Sequence, residues 1–526
     1  MASATKRACD ACHRRKVRCT GQQPCANCSQ AGLACTYDAI PQKKGPKGSR
    51  AKVISELRLK EHQKKADHRR QDSNYNYGSE ASSPSSPTSS GSLTQELIDG
   101  CTDFYFTQLY PTMPIMQNEQ LWALAAEMDT SVEASCLLCS FCAFMLIQPG
   151  METKIGQSME PLVGPYSRTS LGRRLLDEAL RKRKRCDYIE NPSMNTIITS
   201  FFLFGCFSAL DKHNTAWFHL REATTLAQII GMQEEKTYTT GPYLAMMSMR
   251  RLFWLLFVTE RAYALQKHRP LTLHVTINLP SAAEDPSRPI AGFIHLVNLY
   301  RPFDDTFVGL WNKSRTDCST LWLAHLQTEL SQALPAVLDG TETQAADLRT
   351  SQHWLRTIVW QLSITNNFLS STSSDSSMTF GYPIEIAKDL VAVTSQLSRQ
   401  SMEVHGVGLI EKIFDVACTL IDVMSCVPID SQNFCVGPQD YLNHLVHLIS
   451  TLQGGRSRYL PLLITKISDT LPPHMATSII QPMVPIKVEQ SPEIPFLQHP
   501  DSSETQSSNT SSPYSTPPFL HFYPPP

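Results

Sequence analysis

The chain has 526 residues, 41% of them hydrophobic and 18% charged, with a formal net charge of -1. This hydrophobic share excludes wholesale disorder, and the length leaves room for a small module beside one or two larger units at ~100–200 residues each. The balanced total hides a division: residues 1–70 hold 17 lysines and arginines against five acidic residues, leaving 30 basic and 43 acidic residues elsewhere. A head of +12 on a remainder of -13 is the pattern of an arm that binds a polyanion.

The opening MASATKRACDACHRRK carries charges but no apolar stretch, so no secretory signal is expected. The most apolar runs, Cys136 to Ile147 and Leu252 to Val258, fall short of the ~20 residues of a membrane helix. A soluble intracellular protein is therefore expected, in a compartment that keeps the 16 cysteines reduced. Six of them form a tight group: Cys9, Cys12, Cys19, Cys25, Cys28 and Cys35, spaced C-x2-C-x6-C-x5-C-x2-C-x6-C. Cys9/Cys12/Cys19 recurs 16 residues later as Cys25/Cys28/Cys35. Each C-x2-C clamp brings two sulfurs within reach of one tetrahedral ion. Two zinc ions want eight thiolates and six are available, so two cysteines would have to bridge the metals. The competing readings are a disulfide framework and a mononuclear four-cysteine site with spare thiols. A segment this short and this poor in apolar residues must take its folding energy from the metal.

The two interiors of the repeat differ. The first is His13-Arg14-Arg15-Lys16-Val17-Arg18 and the second Ser29-Gln30-Ala31-Gly32-Leu33-Ala34. Only the first can neutralise phosphate and present donors to guanine O6 and N7, so it is expected to face DNA.

Taken together, CDACHRRKVRC…PCANCSQAGLAC resembles the fungal binuclear zinc cluster (Zn2Cys6) transcription factors. The resemblance implies two Zn2+ ions per chain, with Cys9 and Cys25 bridging them and Cys12, Cys19, Cys28 and Cys35 as terminal ligands. It also implies that Arg15 and Lys16 read bases, commonly a CGG triplet, while His13, Arg14 and Arg18 position the domain on phosphate.

Beyond the cluster domain, assigned to residues 1–40, residues 41–70 read as a basic linker and a short helix from Lys52. Its apolar positions make about one heptad, enough to suggest a homodimer with monomeric binding as the alternative. Lys43, Lys44, Lys47, Lys64, Lys65, Arg69 and Arg70 form a candidate nuclear import signal, with a solvated helix face as the plain alternative. Residues 71–92, with nine serines, read as a disordered spacer.

Residues 93–480 are expected to form a large all-α regulatory domain, so the fold class is mostly α. The clearest helix is DKHNTAWFHLREATTLAQIIGM: Asn214 or Thr215 caps it, Trp217, Leu220, Ala223, Ala227 and Ile230 line one face, and Gly231 ends it. Tyr243 to Gln266 is apolar all round and predicts a buried helix. Cys418 to Val427 and Tyr441 to Leu452 also read as helices. SFFLFGCFSALDKHNTAWFHLREATTLAQIIGM and RRLFWLLFVTERAYAL resemble the middle homology region of the same family, in regulators of the maltose-activator type.

Cys136, Cys139 and Cys142 look metal-like, but their apolar flanks predict buried small hydrophobes. Arg181 to Arg185 reads as the cationic end of a helix, with an import signal or partner contact as the alternative. Residues 481–526 hold 11 of the 35 prolines and read as a disordered tail, either inert or offering anchors to transcriptional coactivators. Within it, Lys487 in Ile486-Lys487-Val488-Glu489, followed by Ser491-Pro492, is a candidate modification site of SUMO-acceptor type.

The expected function is a nuclear, sequence-specific DNA-binding transcription factor for RNA polymerase II, an activator reading CGG-containing promoter sites. Its expected targets are a secondary-metabolite biosynthetic gene cluster. The alternatives are regulation of sugar, maltose or other carbon-source genes, or a DNA-bound repressor that sequesters a partner. No membrane partner is expected. No enzyme is expected, since no nucleophile, zincin or phosphate-loop motif stands in context and six ligands on two metals leave no open position.

Overall fold

The computed structural model describes residues 8–37, 93–151, 168–281, 290–426 and 436–480. The basic linker, the helix from Lys52, the serine-rich spacer, Lys487 and the tail lie outside the described residues, as does the side chain of Arg14. The chain divides into two units, Met1–Thr88 and Ser89–Pro526. Every regular element among the described residues is helical, as the absence of strand-type alternation leads one to expect.

In the first unit, α1 (Asp10–Arg15) and α2 (Ala26–Gln30) are single short turns, each beginning just after a cysteine. Helices of five or six residues have no stability of their own, so the cysteine core they carry must hold them.

The second unit begins with α3 (Gln95–Phe104), capped by Thr94 and continued by a wider π turn over Tyr105–Leu109, then α4 (Asn118–Glu127). Apolar residues all round make α5 (Val132–Ile147) a fully buried helix, begun by a Ser131 cap. It packs on α6 (Arg168–Arg183) and α7 (Met194–Ala209), and α7 pairs in turn with α8 (His213–Ile229). A capping box of Ser193 and Thr196 starts α7. Close approach of α5 and α7 needs Gly205, since a Cβ there would sit 2.4 Å from the Phe144 ring. Next come the long buried α9 (Tyr243–Lys267), α10 (Ala291–Tyr300), α11 (Asp305–Trp311) and α12 (Thr320–Gln332).

A second group of helices forms around α13 (Glu342–Thr365). It packs on α12, on α14 (Tyr382–Thr394) and, past the short α15 (Arg399–Glu403), on α16 (Gly406–Cys426). α17 (Pro438–Thr451), α18 (Gly455–Arg458), α19 (Leu460–Thr470) and α20 (Pro473–Ile480) close this end. α10 touches both α9 and α13, so the two groups share one continuous apolar core.

Two expectations need correction. The start of α8 is Lys212, without a side-chain cap, rather than Asn214 or Thr215, because the turn at Asp211 (φ 62°) already brings the chain into the helix. Its buried face carries Leu220, Ala223 and Ala227 as expected, but Trp217 and Ile230 are only half-buried, while Ala216, His219, Thr224 and Leu226 are buried. Gly231 does end it, in the left-handed conformation (φ 77°). α9 is buried along most of its length, but Tyr243 and Leu244 in its first turn are exposed. Arg181 to Arg185 stands at the end of a helix, as expected. Arg181, Lys182 and Arg183 do end α6, yet Arg183 is buried and its Nη2 lies 3.1 Å from Glu222 Oε2.

Cys136, Cys139 and Cys142 lie buried on α5, and burial pushes the Cys136 and Cys139 thiols up to about 12. Neither can supply a thiolate near neutral pH, which agrees with their reading as small apolar residues.

Candidate metal centre and nucleic-acid interface

The 16-residue repeat in the sequence is a repeat in the backbone. His13 N donates to Cys9 O at 2.8 Å and Ser29 N to Cys25 O at 2.9 Å; Val17 N donates to Cys12 O at 3.1 Å and Leu33 N to Cys28 O at 3.0 Å. Each half folds its third cysteine back by the same bond: Cys9 N donates to Cys19 Sγ at 3.4 Å, and Cys25 N to Cys35 Sγ at 3.3 Å. Polar clasps join the halves. Asn27 Nδ2 donates to Arg18 O at 2.6 Å, Asp10 N to Thr36 O at 2.8 Å, and Thr36 Oγ1 to Asp10 Oδ2 at 3.0 Å. These clasp residues were not singled out in the sequence; at an offset of 16, Asp10, Arg18 and Asn27 are positions where the repeat breaks, while Thr36 matches Thr20.

All six sulfurs converge. Cys9, Cys12, Cys19 and Cys25 form one set whose sulfurs lie within 4.8 Å of one another, and Cys9, Cys25, Cys28 and Cys35 form another. Cys9 and Cys25 belong to both. The Sγ–Sγ separations are 3.8 Å for Cys9–Cys25, 3.5 Å for Cys9–Cys28, 3.5 Å for Cys12–Cys25 and 3.9 Å for Cys12–Cys28. A zinc–sulfur bond of ~2.3 Å gives a tetrahedron edge of about 3.8 Å, so the donor set fits tetrahedral zinc. A disulfide needs ~2.05 Å, which no pair approaches. Peptide N–H groups help the two shared thiols to ionise. The backbone of Cys12 draws Cys9 below its ordinary value. Burial opposes ionisation of Cys25, yet the Cys28 backbone and the neighbouring thiols bring it down to about 6.

His13, Arg15, Lys16 and Arg18 are exposed, and none of Arg15, Lys16 and Arg18 is in an ion pair among the described residues. Lys16 stands in the left-handed conformation (φ 56°), and its repeat mate at the same turn is Gly32 (φ 61°). Glycine is the natural occupant of such a turn, and a lysine there costs on the order of 1 kcal/mol. The second half carries exposed Ser29, Gln30, Ala31 and Leu33 at the matching positions and no charge.

Residues 7–44 match the model of the fungal Zn(2)-Cys(6) binuclear cluster domain, a domain that holds two zinc ions. The chain also has relatives over most of its length. It is 25% identical to the maltose fermentation regulatory protein MAL13 of Saccharomyces cerevisiae, across 80% of this chain and 85% of that protein. The maltose fermentation regulatory protein MAL63 of the same species is 26% identical over 80% of this chain and 85% of its own length. The probable sucrose utilization protein SUC1 of Candida albicans is 26% identical over 79% and 78%. The N-terminal end of the chain thus carries a fungal Zn2Cys6 cluster domain with two zinc ions, on a mostly helical body that is similar to maltose fermentation regulators.

Proposed function

We propose that the protein is a nuclear activator of RNA polymerase II transcription that reads CGG-type triplets through the first half of its zinc cluster. Cys9 and Cys25 bridge the two zinc ions, and Cys12, Cys19, Cys28 and Cys35 complete the two tetrahedra. Zinc supplies fold rather than chemistry here: four thiolates around each ion leave no position for a substrate. Arg15 and Lys16 donate to guanine O6 and N7, while His13, Arg14 and Arg18 contact phosphate.

The observation that carries this reading is the asymmetry of the repeat. The fold holds Lys16 where its twin keeps a glycine, and it leaves Arg15 and Arg18 beside that lysine without an ion pair among the described residues. A sequence under folding pressure alone would place glycine in both turns, and backbone strain of this kind gathers at functional positions. The test is a series of duplexes carrying CGG or a permuted triplet. Lys16→Ala should lose about 1–3 kcal/mol of discrimination for the CGG duplex. Uniform weakening across every sequence would leave Lys16 as a phosphate contact only.

The domain boundaries at 1–40, 41–70, 71–92, 93–480 and 481–526 belong to the same proposal, as do homodimerisation and recruitment of coactivators by the tail. For the regulated genes, we favour sugar or maltose utilisation. Likeness to maltose and sucrose proteins runs through about four fifths of the chain. The expectation of a secondary-metabolite cluster rested only on the compactness of the sequence. Transcript profiles of a deletion strain moved from glucose to maltose test this choice: loss of maltase and maltose-transporter induction supports it, and loss restricted to a biosynthetic cluster reverses it.

A further inference from the structure

The two halves of the zinc cluster share most of their backbone bonds, but one side-chain bond belongs to a single half. In each half the chain leaves regular structure after the short helix: residues 17–20 follow α1, and residues 33–35 follow the turn after α2. Both segments are fixed at the same two points. Val17 N and Leu33 N donate back to the helix, at Cys12 O and Cys28 O, and the sulfurs of Cys19 and Cys35 accept from Cys9 N and Cys25 N. Between those points Arg18 O accepts from Asn27 Nδ2 of α2 at 2.6 Å. Its counterpart in the repeat is Ala34 O, which no side chain holds in this way among the described residues. The residue that matches Asn27 is Ala11, whose side chain cannot donate.

A held carbonyl fixes the peptide plane to which it belongs, and with it the local course of the backbone. Arg18 closes the run from His13, and its side chain and that of Lys16 two residues earlier are both exposed. A long cation that reads guanine must arrive in a narrow range of directions, and a backbone free to turn beneath it loses that advantage. Folding does not ask for the bond. The position of Asn27 is filled by alanine in the other half, and alanine is the better helix former. The bond thus occurs once, and it falls on the half that carries the cations.

We propose that Asn27, on the uncharged half of the repeat, is a positioning residue for base reading: through Arg18 O it holds the backbone that aims Lys16 at the duplex. The proposal rests on the reading that the first half contacts CGG, and it adds to that reading a residue outside the basic run. The second half then takes part in recognition as well as completing the metal site.

The test is Asn27→Ala in the full-length, zinc-loaded protein, with binding isotherms on a CGG duplex and its permuted counterpart over a range of salt. The variant should keep two zinc ions per chain. Its affinity for the permuted duplex and the salt dependence of binding should not change, because no charge is removed. Affinity for the CGG duplex should fall roughly three- to tenfold, the worth of one hydrogen bond. In a Lys16→Ala background the same substitution should cause little further loss, since Asn27 acts through the lysine that it positions. Loss of zinc, equal weakening on both duplexes, an unchanged preference for CGG, or full additivity with Lys16→Ala would each overturn the proposal. A wild type with no preference between the duplexes removes the base-reading account along with it. A wild-type preference that Asn27→Ala retains removes this proposal alone.

Discussion

Lys16 occupies a turn that a glycine would fill at lower cost, and that conflict separates folding from function at a single residue. Lys16→Gly should keep or slightly raise the stability of the zinc-loaded domain, by up to about 1 kcal/mol, while losing its preference for CGG. Gly32→Lys is the mirror experiment. It should cost about the same stability, and added positive charge on the second half should raise affinity for any DNA without sharpening specificity. Thermal melts beside binding isotherms on matched and permuted duplexes check both. The cysteines behave differently, because no other interaction replaces the metal in so small a core. Replacing the shared Cys9 with Ser should unfold the domain and release zinc, read as chelator-accessible metal in a colorimetric assay.

At the scale of the elements, the helical body is tied by a buried polar node that the sequence does not announce. Arg183 at the end of α6 meets Glu222 of α8 at 3.1 Å. Ser200 of α7 donates to Glu222 Oε2 at 2.9 Å, His219 Nδ1 lies 3.0 Å from it, and the Tyr188 hydroxyl donates to Oε1 at 2.8 Å. Burial pushes the Glu222 carboxyl up, but His219, the charge of Arg183 and Tyr188 outweigh it and bring it down to about 2. A carboxyl held below its unfolded value near 4.5 stabilises the fold above that value, and the gain is lost as pH falls from there through about 2. The melting temperature should therefore drop over that acid range, and the drop should flatten in Glu222→Gln. At neutral pH this substitution strands a buried guanidinium and should cost about 3–5 kcal/mol, measured by denaturant unfolding.

The helices themselves were legible because a period of 3.6 survives in their apolar residues, as in α8, and because serine and threonine mark several starts. The metal site was legible because its ligands lie close together in sequence at fixed spacing. The Arg183 node and the Lys412–Asp347 pair were not, since their members come from separate helices: Lys412 and Asp347 meet only through the packing of α13 on α16. Local periodicity carries no record of such pairings. Nor does Lys412 point to a distant partner in the sequence, because Glu411 stands next to it and Asp415 lies one turn further along. The start of α8 was misplaced because a left-handed turn at Asp211, rather than a side-chain cap, sets it.

Over the whole molecule, the near-zero net charge is the sum of a basic end and an acidic remainder of almost equal size. Residues 1–70 alone should bind DNA with a steep dependence on salt. The acidic remainder should repel nonspecific DNA, so the full chain should discriminate between matched and random duplexes better than the fragment does. Equal affinity of fragment and full chain for random DNA, compared at the same salt, would make the division of charge incidental.

The central claim is that a two-zinc cluster reads a CGG-type triplet through its basic half. Selection of bound duplexes from a randomised pool by the full-length, zinc-loaded protein tests it most directly. The recovered sequences should share CGG triplets, and recovery should collapse when zinc is chelated and return when it is restored. Recovered sequences with no common triplet, or enrichment that persists without zinc, would contradict it.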